Sequence, residues 1–252
     1  MRLPVSLLSL ALVGALALPA AAQDFSVQQK GAIEGIVRDY LVQHPEVVKD
    51  ALVELQKREK ADEASQRQKI IDSNAAALFD SKHQAVIGNP KGGVTIVEFF
   101  DYNCGYCKRS LGDVGKLVKE NPNLRVILKD FPVLGPDSME AAQVAEALQK
   151  QFTGDKYWEF HQKLLSQRGR VGKTQALAAA RELGADMARL DKDMTAPDAR
   201  DGIVENMKVA DQLSINGTPT WIMGKDVVVG AVGHDELREK IANVGKCGRT
   251  EC

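Results

Sequence analysis

Two cysteines separated by two residues are the side chains of this sequence best suited to chemistry. Cys104 and Cys107 follow a near-continuous apolar run, residues 94–100, and open a segment with helical spacing, residues 107–119. Such a run is typical of a strand buried on both faces of a sheet. A helix N-terminus offers unpaired N–H groups and partial positive charge, which stabilise the thiolate that attacks disulfides. The placement predicts a redox pair, with Cys104 as the exposed attacking thiol and Cys107 as the buried resolving thiol.

Other uses of the cysteines stay open at this point. Zinc needs four ligands, and Cys247 and Cys252 would supply two of them from a loosely spaced tail. A structural disulfide between Cys104 and Cys107 would be unusually tight. Paired thiolates also suit copper(I). Cys247 and Cys252 are close enough to form an accessory disulfide, with a second redox pair or metal contacts as the alternatives.

Composition and the first residues set the class and the compartment. The chain has 252 residues and a formal net charge of −1, which argues against nucleic acid as a partner. Residues 1–22 combine an early arginine, a short apolar run and an Ala-Ala-Ala end. This layout predicts a signal peptide cleaved near Ala22 and export to the periplasm, and an uncleaved anchor is the alternative. An oxidising compartment allows cysteines to pair.

The chain before the cysteines is predicted to be helical over residues 23–82. Apolar residues recur at helical spacing on either side of His44-Pro45, which predicts two helices broken at the proline. Their apolar stripe is too small to form a core alone, so we expect it to pack on the main domain or on copies of itself. Residues 56–69 are polar throughout and predict a spacer, or else a solvated helix.

Residues 83–252 have the pattern of an α/β domain. An edge strand at 85–87, strands at 94–100 and 124–128, and the helix between the latter two predict a parallel βαβ unit. Residues 221–223 and 227–229 predict an antiparallel hairpin, and a last helix is predicted over 235–244. Lys129 and Asp130 are interpreted as a solvated loop pair, and His161 is given no metal role.

A helical insertion is predicted over residues 137–200. Its alanine-rich sequence indicates three or four helices, the first opened by a capping box formed by Asp137 and Glu140. Pro197 is predicted to open a further helix. The buried face of that helix is predicted to consist of Ile203, Met207, Ala210 and Leu213.

Together these motifs resemble a known family. Residues 99–107, Phe-Phe-Asp-Tyr-Asn-Cys-Gly-Tyr-Cys, and residues 217–220, Gly-Thr-Pro-Thr, are similar to the thioredoxin superfamily in its bacterial DsbA-like branch. The helical N-terminal extension resembles the ScsC proteins, named for suppression of copper sensitivity. The implied architecture is a thioredoxin fold with an inserted helical subdomain, preceded by a helical oligomerisation stalk.

The resemblance also implies roles for three further residues. Pro219 matches the family's cis-proline beside the reactive sulfurs, and the backbone of Thr218 would bind a client chain as an added strand. Glu98 matches the family's buried acid. Its burial should raise its pKa and let it help to move the proton of Cys107.

The implied activity is disulfide isomerisation or reduction of misoxidised exported proteins. Tyr106 stands where a strong oxidase has histidine, and the Gly-Tyr pair is similar to that of the isomerase DsbC. The resemblance further implies a trimer assembled through residues 24–60, a membrane thiol reductase of the ScsB or DsbD type as partner, and no cofactor. A DsbA-type oxidase and a copper(I)-binding protein of copper tolerance are the alternatives.

Overall fold

The fold is described from a computed structural model that covers residues 25–252, so the predicted signal peptide lies outside the described residues. The chain divides into two compact units after Arg58. No helix within residues 25–252 is long and apolar enough to cross a membrane.

Two helices form the N-terminal segment, as predicted. Helix α1 spans Val27–Gln43 and α2 spans Pro45–Ser73, so the break falls at His44. Ser26 caps α1, because its Oγ accepts from the Gln29 backbone N–H while the Gln29 side chain accepts from the Ser26 N–H. Residues 56–69 are helical throughout and mostly exposed, which agrees with a solvated helix.

A five-stranded sheet forms the centre of the second unit, in the order β1-β3-β2-β4-β5. Strands β2 and β3 are parallel, and all other pairs are antiparallel. The predicted βαβ unit, edge strand and hairpin are therefore confirmed. The strands are β1 Ala85–Gly88, β2 Val94–Phe100, β3 Leu124–Asp130, β4 Thr220–Met223 and β5 Asp226–Val229.

Helices cover both faces of this sheet, and four of them form the predicted insertion. The helices after α2 are α3 Ala75–Phe79, α4 Gly105–Glu120, α5 Pro136–Leu148, α6 Gly154–Leu165, α7 Lys173–Glu182, α8 Met187–Met194, α9 Asp201–Gln212 and α10 His234–Cys247. One face packs through Ile96, Phe100 and Leu128 against α4 and the insertion. The other packs through Val97 and Ile127 against α9.

Three helix ends differ from their predictions. Gly135 precedes α5 without a side-chain cap, and Asp137 instead binds Arg170 at 2.6 Å. Helix α9 begins at Asp201 rather than Pro197, and Met207 on it is exposed. Helix α10 passes through Gly245 and ends at Cys247, with Gly248 as its C-cap, whose φ of 76° suits glycine.

The end of α2 and the whole of α3 belong to the core of the second unit. Ile71 and Leu78 are buried in the same cluster as Val97 and Ile127. Our sequence division placed stalk and linker up to residue 82, whereas the compact unit begins at Glu59. The residues that precede β1 therefore contribute to the core of the second unit.

A buried lysine binds α3 to the sheet, and its burial shows that our interpretation of this segment as a solvated loop is wrong. Lys129 and Asp130 are buried at the end of β3 and are not a solvated loop pair. Lys129 Nζ donates to the carbonyl of Ala77 at 2.6 Å and lies 3.7 Å from a Glu205 carboxylate oxygen. The lysine thus satisfies a helix-end carbonyl that would otherwise be unpaired.

Removing the α3 core side chain should destabilise the second unit. We expect Leu78→Ala to lower the free energy of unfolding by about 2–5 kcal/mol, because it opens a cavity under the sheet. Val204 on α9 is 63% exposed, so Val204→Ala should stay within about 0.5 kcal/mol of the parent. Urea unfolding measures both variants. Equal stability of the two would contradict the placement of α3.

Candidate functional site

The cysteine pair lies at the carboxyl end of β2, where a tight turn leads into α4. The Cys104 backbone N–H donates to the Asp101 carbonyl at 3.0 Å, and Cys104 is the N-cap of α4. Cys107 follows in the first turn of the helix and is fully buried. Both cysteines are free thiols in this structure. The strand, turn and helix thus present one thiol to the first amides of α4 and hide the other.

Cys104 has the environment of a stabilised thiolate. Hydrogen bonding from the Cys107 thiol lowers its pKa to about 5, with further help from Thr218 and from the backbone N–H groups of Cys107 and Tyr106, against the opposing effect of burial. We predicted an exposed thiol, but only 6% of Cys104 is exposed. In the thiol form, Sγ donates to the Thr218 carbonyl at 3.1 Å.

Cys107 has the opposite environment. Burial raises its pKa far above the ordinary value, and the hydrogen bond to Cys104 and the charge of Glu98 raise it further. At neutral pH the pair therefore holds one negative charge, on Cys104, and one proton, on Cys107.

Glu98 is the acid of the site. It lies in β2 between Leu128 of β3 and Trp221 of β4, and only 3% of it is exposed. Burial raises its pKa to about 8, and the charge of Cys104 contributes to that rise. The charge of Glu98 in turn raises the pKa of the Cys107 thiol.

A loop before β4 forms the other wall of the site. The Thr218–Pro219 peptide bond is cis. Thr220 Oγ1 donates to the Gly217 carbonyl at 2.8 Å, and the Gly230 N–H donates to the Pro219 carbonyl at 2.8 Å. These bonds fix the loop whose Thr218 carbonyl contacts Cys104.

The other two cysteines lie at the C-terminal tail. Cys247 and Cys252 form a disulfide there. Both the backbone N–H and the Oγ1 of Thr250, within that loop, donate to Asp226 Oδ2 at 2.7 and 2.9 Å. Within residues 25–252, no three His, Cys, Asp or Glu side chains are grouped to hold a metal ion.

Sequence reasoning missed several residues around the site. Asp101 and Asn103 join the turn to the helical insertion through hydrogen bonds. The sequence contained a signal for this turn, because Asp and Asn side chains favour turns by hydrogen-bonding to nearby backbone groups. Tyr102 and His161 form a buried pair, with 3.4 Å between the hydroxyl and Nδ1, and burial lowers the pKa of His161 to about 3. No local pattern predicts that pair.

The fold and the free Cys-x-x-Cys pair define a thioredoxin-like protein. Residues 80–243 match the thioredoxin family model, so the chain belongs to the thioredoxin family. Residues 29–62 match a second model, described as the N-terminal domain of the copper resistance protein ScsC. The predicted likeness to ScsC and DsbA-like proteins is thereby confirmed.

Solved structures agree with this assignment. A thioredoxin-like oxidoreductase from Silicibacter pomeroyi DSS-3 is 38% identical, with a TM-score of 0.64 over 69% of this chain and 99% of that one. A linker-deletion mutant of Proteus mirabilis ScsC is 25% identical, with a TM-score of 0.66 over 90% of this chain and 99% of that one. The thiol-disulfide exchange protein alpha-DsbA2 from Wolbachia pipientis is 27% identical, with a TM-score of 0.66 over 72% of this chain and 97% of that one.

Curated relatives share only part of their length with this chain. A Na(+)/H(+) antiporter NhaA 1 of Salinispora arenicola is 30% identical over 158 residues, which are 61% of this chain and 23% of the antiporter. This chain thus spans about a quarter of the length of the antiporters it matches. Disulfide bond formation protein D of Bacillus subtilis is 25% identical over 64% of this chain and 76% of its own length.

Glu98→Gln should change the pH dependence of stability. Because the folded pKa of Glu98 is raised from 4.5 to about 8, the parent loses stability as pH rises through this window. Between about pH 5 and pH 9, we expect the free energy of unfolding of the reduced variant to rise by about 2–4 kcal/mol relative to that of the parent. Urea unfolding measures this difference. Exposed Glu239→Gln is the control. A gap between Glu98→Gln and the parent that stays constant with pH would contradict the burial of this charge.

Proposed function

We propose that the protein is a periplasmic disulfide isomerase and reductase, with Cys104 as nucleophile and Cys107 as resolving thiol. The observation that carries the proposal is the opposite tuning of two adjacent thiols: the pKa of Cys104 is lowered to about 5, whereas that of Cys107 is raised. An attacking sulfur that is ionised at neutral pH, beside a protonated one, suits repeated attack on disulfides.

The exchange begins with the Cys104 thiolate. It attacks one sulfur of a client disulfide, so that a mixed disulfide forms, the client S–S bond breaks and a client thiolate leaves. In isomerisation, a client thiolate then attacks another client sulfur, and a final attack on the mixed disulfide releases Cys104. No net electrons are transferred, and Cys104 returns as a thiolate.

Reduction uses Cys107 and Glu98. Once Cys104 is in the mixed disulfide its charge is gone, which removes one cause of the raised Glu98 pKa. Glu98 then releases its own proton to water, and its carboxylate accepts the Cys107 proton. The Cys107 thiolate attacks Cys104 Sγ, so that the mixed disulfide bond breaks and the client sulfur leaves as a thiolate. The Cys104–Cys107 disulfide that forms is two electrons more oxidised than the dithiol, until an external dithiol reduces it.

Thr218 is the proposed client-binding position. Its carbonyl accepts from the Cys104 thiol at 3.1 Å. Ionisation of Cys104 removes that donor, which frees the carbonyl to accept an N–H from an extended client chain. The client backbone would then lie directly beside the attacking sulfur, held by Thr218 and Pro219.

Compartment and redox partner follow from the same proposal. Residues 1–22 have the layout of an export signal, and the chain is 28% identical, with a TM-score of 0.59, to a periplasmic thioredoxin-like protein from Salmonella enterica serovar Typhimurium. A membrane thiol reductase of the ScsB or DsbD type would restore the thiols of Cys104 and Cys107. Misoxidised exported proteins are the proposed clients.

Assembly through the N-terminal helices completes the proposal. Helix α1 and the first part of α2 expose large apolar side chains, and such surfaces mark interaction sites. Copies of this chain, three in the proposed assembly, would cover them through residues 24–60. The exposed side chains are Ile33, Ile36, Val37, Tyr40, Leu41, Val48, Leu52 and Leu55.

A dithiol oxidase is the second candidate, and the Cys104 pKa of about 5 is the observation in its favour. Stabilising the thiolate favours the reduced pair and so makes the disulfide a stronger oxidant. The value falls between those of thioredoxin, near 7, and DsbA, near 3.5. Copper(I) capture by the two free thiols is a further alternative.

Reactivation of scrambled, oxidised ribonuclease separates these candidates. We expect the pre-reduced full-length protein to restore activity and Cys104→Ser to restore none, because the mixed disulfide cannot form. If the parent fails although the Cys104–Cys107 disulfide is strongly oxidising against glutathione, the oxidase becomes the better assignment. If both activities are absent and copper(I) binding depends on Cys104, copper handling replaces them.

Truncation tests the role of the N-terminal helices. A chain that starts at Glu59 keeps the compact second unit. We expect it to be monomeric by light scattering, to reduce a small disulfide at the parental rate and to isomerise ribonuclease poorly. A matched chain starting at residue 80 lacks Ile71 and Leu78 and should fold poorly. A Glu59 chain that is still oligomeric, or fully competent as an isomerase, would exclude this role.

A further inference from the structure

The residue directly before the reactive cysteine has a side-chain amide that the proposed mechanism does not use. Asn103 Nδ2 donates to Ser138 Oγ at 3.0 Å and to the Val171 carbonyl at 2.8 Å. Its Oδ1 accepts from the Val171 N–H at 2.8 Å. All three bonds reach the helical insertion, at sequence separations of 35 and 68 residues.

Asp101 completes the same set of bonds from two residues earlier. Its Oδ1 accepts from the Asn103 backbone N–H and from Ser138 Oγ, both at 2.7 Å. Its Oδ2 accepts from the Leu134 N–H at 2.9 Å. Ser138 thus donates to Asp101 and accepts from Asn103, so the turn of residues 101–104 is joined to the start of α5.

The loop that contains Val171 is also bound by a residue that follows the cysteine pair in sequence. Lys108, which follows Cys107 in α4, donates from Nζ to the Gln167 carbonyl at 2.7 Å. Asn103 and Lys108 flank the two cysteines in sequence, and both bind residues 167–171. The insertion loop therefore fixes the turn and the first turn of α4 relative to each other.

We propose that Asn103 is a positioning residue, which fastens the reactive-cysteine turn to the insertion loop so that Cys104 Sγ keeps its place at the N-terminus of α4, beside the Cys107 thiol. The inference rests on the proposed function of Cys104. Hydrogen bonds weaken steeply as their angle departs from linearity, so a small rotation of the turn would weaken the bond from the Cys107 thiol to the thiolate and move Sγ away from the positive end of α4. Loss of the amide would also leave the backbone groups of the buried Val171 unpaired.

Asn89 provides a matched control. Its Nδ2 donates to the Pro122 carbonyl and its Oδ1 accepts from the Lys91 N–H, both at 2.9 Å. Like Asn103, it therefore ties a turn together through both ends of its amide. It lies beside Leu124 at the opposite end of β3, about 20 Å from the reactive turn at the strand rise of an extended chain.

The test is the pH profile of Cys104 alkylation by iodoacetamide in the reduced full-length protein, checked by thiolate absorbance at 240 nm. We expect the parent midpoint near 5 and an Asn103→Ala midpoint about one pH unit higher, so that alkylation at pH 5 falls several-fold. Ser138→Ala removes one of the three Asn103 bonds, together with the Ser138–Asp101 bond, without changing Asn103, and should shift the midpoint less, in the same direction. Asn89→Ala should keep the parental midpoint even if it lowers the melting temperature.

The outcomes separate this inference from the proposal on which it rests. A parent that alkylates with an ordinary cysteine midpoint overturns the proposed nucleophile. A parent midpoint near 5 that Asn103→Ala and Ser138→Ala leave unchanged overturns only the positioning role. An equal shift in Asn89→Ala also overturns it, because the effect would then follow general loss of stability. If Asn103→Ala does not fold, Ser138→Ala decides the question.

Discussion

One negative charge held beside one proton is the constraint on which this molecule depends. Two sulfurs a helical turn apart would ordinarily ionise alike, yet here the pKa of Cys104 is lowered and that of Cys107 is raised. Position along α4 produces the difference. The N-cap sulfur accepts a hydrogen bond from the Cys107 thiol and lies at the positive end of the helix, whereas the sulfur one turn later lies in the core and loses its water.

The rest of the second unit maintains this difference in protonation between Cys104 and Cys107. A parallel β2–β3 pair covered on both faces provides the dry interior that keeps Glu98 and Cys107 protonated, and it ends where the helix must begin. The cis loop supplies a carbonyl to the thiol, and the insertion supplies partners for Asp101 and Asn103. Both the cis loop and the insertion therefore hold the turn that carries Cys104.

The sequence predicted the sheet and the thiol pair well, because both depend on local patterns. Buried parallel strands are continuous apolar runs, and β2 and β3 were visible as such. Two of the errors share one cause, a partner distant in sequence. Helix α9 begins at Asp201 because Glu146, 56 residues earlier than Gly202, accepts from the Gly202 and Ile203 N–H groups. Lys129 extends β3 because it binds a carbonyl 52 residues away.

The docking of α3 has a consequence for how such proteins can be recombined in evolution. The thioredoxin family match starts at residue 80, but Ile71 and Leu78 fill the core beneath the sheet. If the chain from residue 80 onward were recombined with the N-terminal helices of another protein, the second unit would lose Ile71 and Leu78. Its core would then contain a cavity. A recombination point is tolerated only further upstream, in the exposed polar part of α2. A cut there separates no buried side chain from the residues it packs against. That polar stretch of helix is therefore the natural junction for gene fusion.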